Sequence, residues 1–321
     1  MMLKYIIRRI IVSIFLLFVM SAMIYIIFAF APGDPVGSQM DPNMTKAMLA
    51  KLRAQYGLDQ PVYKRYFYWL WSAIHGDLGY SIQFSKSAVE VIKTYMWNSF
   101  ILAVPALIIS NLIAIPLGVI SAVKHNTYID KAIGLITLAG ISCPSFFIAL
   151  LVIKKLAMDY GVFPFSGMIT AGAGYTGMTY FLDLLHHAAL PLIVMVSTGI
   201  AGMVMFVRSF MLNVLSQDYV RTARAKGLPQ RTVIYKHAFR NTLIPIVTMF
   251  SGVLGGLFGG SIVIESMFAW PGMGTIALGA VTFRDYPLIM ATNIFFATLM
   301  LLGYLISDIV YGIVDPRVKL D

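Results

Sequence analysis

The sequence has one cysteine, Cys143, so no disulfide can form within the chain. Charge is also scarce: Asp, Glu, Lys and Arg make up 12% of the residues, where a soluble domain has about 25%. No segment matches the Gly-x-x-x-x-Gly-Lys-[Ser/Thr] pattern of a phosphate-binding loop. His-x-x-x-His spacing and paired acids within the apolar segments are missing too. A nucleotide hydrolase and an intramembrane enzyme are therefore disfavoured, and we predict no catalytic and no metal site.

The residues that are present are mostly apolar: 59% are hydrophobic, and they are gathered in long runs. Such runs predict an all-α polytopic membrane protein, since a membrane-spanning helix needs about 20 consecutive apolar residues. The net charge of +10 would suggest a nucleic-acid partner in a soluble protein. Here the basic residues lie at the ends of the apolar runs, so orientation in the lipid bilayer is the simpler cause and no nucleic-acid partner is predicted.

Six apolar segments are candidates to span the bilayer: residues 10–30, 99–123, 132–153, 190–207, 244–264 and 288–314. The first follows Lys4, Arg8 and Arg9 and could be a signal peptide with an Ala-x-Ala site at residues 29–31. Its 21 residues exceed the ~7–15 of a signal core, which favours a retained helix. Short segments predicted to face the cytoplasm carry 14 of the 24 basic residues, and the even number of spans then places both termini in the cytoplasm.

These segments divide the chain into four regions. Residues 1–31 form an N-terminal transmembrane helix, residues 32–97 a small external cap, residues 98–314 a five-helix membrane core and residues 315–321 a cytoplasmic tail. Within the cap, helical spacing predicts a helix over residues 45–56 that ends at Gly57. The aromatic run at residues 66–71 suits a membrane interface. Within the core, residues 208–243 form a basic cytoplasmic loop.

The basic loop contains a short helix ended by a sharp turn. Asp218 is a plausible N-cap because its carboxylate can accept hydrogen bonds from free backbone N–H groups. Gly227 fits the left-handed C′ position after the helix, and Pro229 suits the start of the next helix. Small and basic side chains share the helix surface: Thr222, Ala223 and Ala225 with Arg221, Arg224 and Lys226. Another protein could approach such a surface closely, although composition alone fits an ordinary basic loop.

Polar and small residues inside the apolar segments are a second group of candidates. Residues 142–145, Ser-Cys-Pro-Ser, predict a kink in the third segment and place polar groups at mid-depth, where only protein or water can satisfy them. His186 and His187 precede the fourth segment without a carboxylate or cysteine nearby, which favours an interfacial position over a metal or pH role. The fifth segment has two glycine stripes that allow close packing within the subunit or against a partner: Gly252, Gly256 and Gly260, and Gly255 and Gly259.

The residue order of the basic loop resembles the loop by which ABC-importer permeases dock onto their ATPase subunits. Residues 221–228 read Arg-Thr-Ala-Arg-Ala-Lys-Gly-Leu, and residues 243–245 read Leu-Ile-Pro. The general family pattern begins Glu-Ala-Ala and reaches its proline sooner after the glycine. Both departures resemble the peptide-permease branch. Four further segments also resemble that branch: Ala-Pro-Gly-Asp-Pro at residues 31–35, Gly-Asp-Leu-Gly-x-Ser at 76–81, the run at 265–274 and Arg-Asp-Tyr-Pro at 284–287.

The resemblance implies the first of two permease subunits of a dipeptide, oligopeptide or nickel ABC importer. It implies a type I permease fold with six transmembrane helices, in a bacterial or archaeal cell membrane. The implied partners are a homologous second permease, two ATPase subunits and an external substrate-binding protein. ATP and Mg²⁺ would bind the ATPase subunits, and no cofactor would bind this chain.

The resemblance also implies roles for particular residues. The residues expected to dock onto the ATPase are Tyr219, Arg221, Thr222, Ala223, Arg224, Ala225, Lys226, Gly227 and Leu228. An outer loop or gate is expected at Glu265, Trp270, Pro271 and Gly272, and for Glu265 a structural, hydrogen-bonded role is favoured. The candidates for lining the translocation path are Ser142, Ser145, Ser197 and Met203.

A self-sufficient channel or secondary transporter is the alternative class. Carriers coupled to protons or ions usually bury ionisable residues near the middle of the membrane. The centres of these apolar segments are almost free of such residues, which favours the ABC permease. The choice among peptides, nickel and metal chelates stays open.

Overall fold

The computed structural model describes residues 2–30, 59–253, 257 and 261–314. Eleven α-helices lie in these ranges: α1 Met2–Phe30, α2 Val62–Ile74, α3 Ala88–Val123, α4 Tyr128–Ser142, α5 Ser145–Val152, α6 Gly177–Leu215, α7 Asp218–Ala225, α8 Arg240–Val253, α9 Ile262–Met267, α10 Met273–Thr282 and α11 Tyr286–Val314. Two π-helical segments, Ile153–Asp159 and Thr232–Phe239, extend α5 and lead into α8. The β-structure within the described ranges is one antiparallel pair, β1 Tyr80–Ser81 and β2 Lys86–Ser87.

The predicted all-α architecture is confirmed. Four helices are long and apolar enough to cross a membrane: Ile6–Phe30, Ala88–Val123, Gly177–Leu215 and Tyr286–Ile306. The bent pair Tyr128–Ser142 and Ser145–Asp159 makes a fifth span if it is counted as one. The predicted fifth segment, residues 244–264, begins in α8 and ends in α9, and most of residues 254–260 between them lie outside the described residues. The sixth crossing therefore stays a prediction.

The break between α4 and α5 follows from Pro144. A residue before proline is pushed out of the helical region, and Cys143 is extended, with φ −84° and ψ 120°. The two helices bend by 97° at this point. The predicted kink is confirmed, and the turn is far sharper than the bend that proline introduces into a continuous helix.

The core of the bundle forms where α3 packs along α6. Small residues let the two helices approach closely. A Cβ added at Gly118 of α3 would lie 2.7 Å from Cβ of Val207 on α6, and one at Gly199 of α6 would lie 3.1 Å from Cβ of Ser110. The predicted glycine stripes of the fifth segment stay a prediction, because Gly252 belongs to α8 and the other four glycines lie outside the described residues.

The Gly118 contact gives a first prediction. Gly118→Ala should lower the stability of the purified protein by about 1–3 kcal/mol, because the added methyl group overpacks the seam against Val207. The measurement is the thermal unfolding midpoint in detergent. Gly202→Ala is the matched control, since among the described residues no heavy atom lies within 4 Å of its added Cβ. That variant should gain up to about 1 kcal/mol from the better helix propensity of alanine. Equal midpoints for the two variants would contradict the packing argument.

The N-terminal helix α1 packs along α11 and against α2. The hydroxyl groups of Ser21 and Tyr66 lie 2.9 Å apart in a buried contact, which favours the retained helix over a cleaved signal. The predicted aromatic cluster lies on α2, where Tyr66 faces α1 while Phe67 and Trp71 are 59% and 68% exposed. Its placement at a membrane interface stays a prediction. The predicted helix at residues 45–56 and the Ala-Pro-Gly-Asp-Pro segment at 31–35 lie outside the described residues.

The second predicted segment starts earlier than its apolar run. Helix α3 begins at Ala88, inside the region assigned to the external cap, because the amphipathic stretch before residue 99 continues the same helix. Ser87 precedes α3, and the β1–β2 hairpin therefore leads directly into the first core helix.

Candidate functional site

The short helix α7, Asp218–Ala225, follows α6 after a two-residue turn. Gln217 occupies the N-cap position and makes no side-chain capping hydrogen bond. The prediction of Asp218 as N-cap is therefore wrong by one residue, since Asp218 is the first helical residue. Its carboxylate is 96% exposed and lies 3.7 Å from the Arg221 guanidinium, one turn along. A pair this exposed contributes little to stability.

The predicted left-handed turn at Gly227 is confirmed. The residue has φ +72°, and its N–H donates to the Arg224 carbonyl oxygen at 3.0 Å. Residues with a Cβ rarely adopt this conformation, so glycine is required by the backbone angle. Pro229 lies at the start of the next helix, where its carbonyl accepts from the Val233 N–H at 3.1 Å.

Helix α7 has an inward and an outward face. Val220 and Ala223 lie three residues apart on one side, as helical geometry requires, and both are buried in the apolar core that also contains Met211 and Val233. The methyl group of Ala223 packs inside this chain, and its predicted place in the docking surface stays a prediction. The outward face, which we call the exposed face of α7, consists of Tyr219, Arg221, Thr222, Arg224, Ala225, Lys226 and Leu228.

At the other end of the bundle, the Glu265 carboxylate organises the loop between α9 and α10. Glu265 is 2% exposed. One of its oxygens accepts from Ser99 Oγ at 2.6 Å, and the other accepts from the backbone N–H groups of Gly274 and Thr275 at 2.8 and 3.2 Å. Ser99 Oγ also accepts from the Met273 N–H at 2.8 Å. Four hydrogen bonds made by the Glu265 and Ser99 side chains thus connect α3, α9 and α10.

Trp270 and Gly272 complete this outer loop. The Trp270 indole is fully buried and donates to the Asn98 carbonyl at 2.9 Å, while the Asn98 amide donates to the Pro271 carbonyl at 2.7 Å. A Cβ added at Gly272 would clash with the Glu265 carboxylate and lie 2.6 Å from Ser99 Oγ. These contacts agree with the structural role favoured for Glu265. A gating role for the loop stays a prediction.

A second buried carboxylate, that of Asp285, joins two sequence motifs that are far apart in the chain; we call its contacts the Asp285 clamp. Asp285, of the Arg-Asp-Tyr-Pro motif, is fully buried. It accepts from Ser81 Oγ at 2.5 Å and from the Gln83 N–H at 3.0 Å. Ser81 is the last residue of the Gly-Asp-Leu-Gly-x-Ser motif and lies on β1. Both motifs are visible in the sequence, but nothing in their spacing indicates this contact.

Residues 114–320 match the family described as "Binding-protein-dependent transport system inner membrane component", and residues 2–89 match the family for the N-terminal part of such components. The chain belongs to this family. The permease component described here is therefore a transport protein with several membrane-spanning helices.

Full-length relatives support the assignment. The permease component is 38% identical over 319 residues to "Oligopeptide transport system permease protein AppB" of Bacillus subtilis, covering 99% of this chain and 100% of the relative. It is 38% identical over 322 residues to a putative peptide permease protein of Brucella suis, covering 99% of each. It is 33% identical over 318 residues to "Glutathione transport system permease protein GsiC" of Escherichia coli, again covering 99% of each.

A solved structure shows the fold. The inward-facing MetNI methionine ABC transporter has a chain that matches 71% of the permease component over 97% of its own length, with a TM-score of 0.53 and 16% identity. This likeness confirms the predicted type I permease fold.

The predicted path residues differ in their surroundings. Ser142 and Ser145 flank the 97° break; Ser142 is exposed and Ser145 is half-buried. Ser197 is half-buried, and its hydroxyl donates to the Val194 carbonyl of its own helix at 2.8 Å. Met203 is 8% exposed and packs with Val204 in the α3–α6 core. The place of Met203 and of the three serines in a translocation path stays a prediction.

The two histidines lie inside α6 and not before it, because the helix begins at Gly177. His187 is 7% exposed, and its Nδ1 lies 3.5 Å from Asp183 Oδ1. The prediction that the histidines have no carboxylate nearby is wrong, since Asp183 is one turn earlier on the same face. Asp183 also accepts from the Thr170 N–H and hydroxyl, both at 2.7 Å. Among the described residues, no group of three side chains could hold a metal ion.

Proposed function

We propose that the permease component forms half of the translocation pathway of an ATP-driven importer of peptides. The observation that carries the proposal is the exposed face of α7. This face carries three basic side chains beside the small side chains of Thr222 and Ala225. Val220 and Ala223 hold the helix on the apolar core, so the face suits docking of an ATPase subunit. The named relatives, which match nearly the whole chain, support peptides as the substrate class.

The proposed assembly contains a homologous second permease, two ATPase subunits and an external substrate-binding protein. ATP and Mg²⁺ bind the ATPase subunits, and the permease component performs no covalent chemistry. Large apolar side chains on α4 support further cover by lipid or by the second permease: Leu135, Ile136 and Leu138 are 69%, 73% and 56% exposed. Docking on α7 requires residues 208–243 and both termini to lie in the cytoplasm.

The proposed mechanism is a rigid-body transition. Closure of the ATPase pair around ATP displaces α7, and α6 follows because the inward face of α7 shares a core with Met211. The outer loop tied by Glu265 and the Asp285 clamp move as preformed units, since each is cross-linked by several hydrogen bonds. Alternating access then results from the relative movement of packed helices.

The experiment is reconstitution of the permease component with its neighbouring permease, ATPases and binding protein in vesicles. We expect uptake of labelled oligopeptide that requires ATP on the ATPase side and the binding protein on the other. The same vesicles are tested with nickel and with a nickel chelate. Uptake of nickel without uptake of peptide would overturn the substrate class. Uptake by the permease component alone would instead identify a channel or secondary transporter.

A further inference from the structure

An ion pair between a buried aspartate and a partly exposed arginine joins α4 and α6, on the side of the bundle that carries α7. Asp130, in the first turn of α4, is 4% exposed. Its two oxygens accept from Arg208 Nε at 2.7 Å and from Arg208 Nη2 at 2.8 Å. This two-bond geometry fixes direction as well as distance, which a single contact between point charges does not.

Three further groups hold the Asp130 carboxylate in place. Ser121 Oγ, at the end of α3, donates to Oδ1 at 2.5 Å, and the Asn126 N–H, in the α3–α4 loop, donates to Oδ2 at 2.9 Å. His125 Nδ1 lies 3.2 Å from both Oδ2 and Arg208 Nη2. Both oxygens of the Asp130 carboxylate are thus hydrogen-bonded, as a buried charge must be to persist.

The cluster is connected to α7 through packed side chains. Val207 and Met211, on either side of Arg208 in α6, are fully buried. They belong to the same apolar core as Val220 and Ala223, the inward face of α7. Because close-packed interiors transmit displacement, a movement of α7 reaches Arg208. On the far side of the ion pair, α4 runs from Asp130 to the 97° break after Ser142.

We propose that Asp130 and Arg208 are positioning residues that transmit the displacement of α7 to α4 and its break. The inference rests on the proposed function of α7 as the docking helix. Apolar contacts alone would let α4 slide along α6, whereas the two parallel hydrogen bonds keep the two helices in register. The partner that acts through this link is the ATPase subunit, and the element that responds is the sharply bent pair α4–α5.

The test compares Arg208→Lys, Asp130→Asn and the double variant D130N/R208Q in the assembled importer. Lysine keeps the charge but cannot hold both carboxylate oxygens. The double variant removes both charges and so leaves no unpaired ion if a single variant fails to fold. The matched control is Asp183→Asn, which removes a hydrogen-bonded carboxylate at the other end of α6. The readouts are ATPase stoichiometry, basal ATP hydrolysis and its stimulation by peptide-loaded binding protein.

We expect Arg208→Lys and the double variant to retain stoichiometry and basal hydrolysis while stimulation falls roughly 2- to 30-fold, the range for residues that carry coupling. The control should keep the wild-type ratio of stimulated to basal hydrolysis. A wild-type ratio in Arg208→Lys and the double variant would overturn the proposal, even if fewer complexes assemble, because a purely structural role changes amount and not ratio. Failure of α7 itself to bind the ATPases would count against the proposed function, and it is measured separately by co-purification.

Discussion

Gly227→Val should reduce coupling between ATP hydrolysis and transport while leaving membrane insertion intact. Gly227 has φ +72°, and among the described residues no heavy atom lies within 4 Å of an added Cβ. The cost is therefore backbone strain and not a clash. It amounts to about 1–2 kcal/mol for an ordinary residue and more for a β-branched one. Relief of the strain would reorient Leu228 and Pro229 and move the exposed face of α7.

The measurement is co-purification of the ATPases together with substrate-stimulated hydrolysis, which we expect to fall roughly 5- to 30-fold. Gly227→Asn is the matched control, since asparagine tolerates the left-handed conformation, and it should retain most of the coupling. Ala225→Glu adds bulk and negative charge on the exposed face and should also weaken docking. Wild-type stoichiometry and stimulation in both Gly227→Val and Ala225→Glu would show that α7 is an ordinary basic loop.

Ala223→Glu is a different experiment, although the two alanines are two residues apart. Ala223 is 5% exposed and packs against Val233 within the chain. A glutamate there would bury an unpaired charge or force α7 off the core. Any loss of ATPase docking in Ala223→Glu would therefore reflect the loss of α7 packing. This variant cannot serve as a test of the contact surface.

Gly272→Ala should destabilise the outer loop strongly although it adds only one methyl group. Gly272 has an extended backbone, with φ −117° and ψ −176°, so the reason for glycine is space. The methyl group would displace the Glu265 carboxylate and Ser99 Oγ, which lies 2.6 Å from the added Cβ. Hydrogen bonds to a buried carboxylate contribute about 1.5–3 kcal/mol each, so we expect a loss of roughly 2–4 kcal/mol.

The thermal unfolding midpoint of the purified protein measures this loss, and peptide uptake by the assembled importer should fall with it. Gly279→Ala, in α10, is the control, because its added Cβ meets only the flexible Gln83 side chain at 3.5 Å among the described residues. Glu265→Gln tests the same cluster by changing the acceptor, since an amide has one oxygen and cannot accept hydrogen bonds from all the donors around it. A wild-type midpoint in Gly272→Ala would refute the cross-linked outer loop.

The clusters around Glu265 and Asp285 satisfy their buried carboxylates in the same way. Glu265 holds the loop after α9 against α3, and Asp285 holds the β1–β2 hairpin at the start of α11. Each uses side-chain hydroxyl and backbone N–H donors, so neither needs a basic partner. If the binding protein of the proposed assembly contacts this region, little order is lost on binding, because the region is already cross-linked.

Much of the architecture was determined by the sequence alone. The apolar runs predict helices, because a backbone surrounded by lipid must satisfy its hydrogen bonds within its own segment. Gly227 and Pro144 likewise act locally: one permits positive φ, and the other excludes the residue before it from a helix. These features depend on a few neighbouring residues, and the structure places them where the sequence predicts.

Only the tertiary structure decided which side chains meet. The contact between Ser81 and Asp285, the pairing of Asp130 with Arg208, and the burial of Ala223 depend on residues far apart in the chain. Ala223 and Ala225 are chemically identical, and the face that each presents is set by the position of α7 against α6 and the π-helical segment. The 97° angle at Pro144 is likewise set by what α4 and α5 pack against, since proline specifies the break but not its angle.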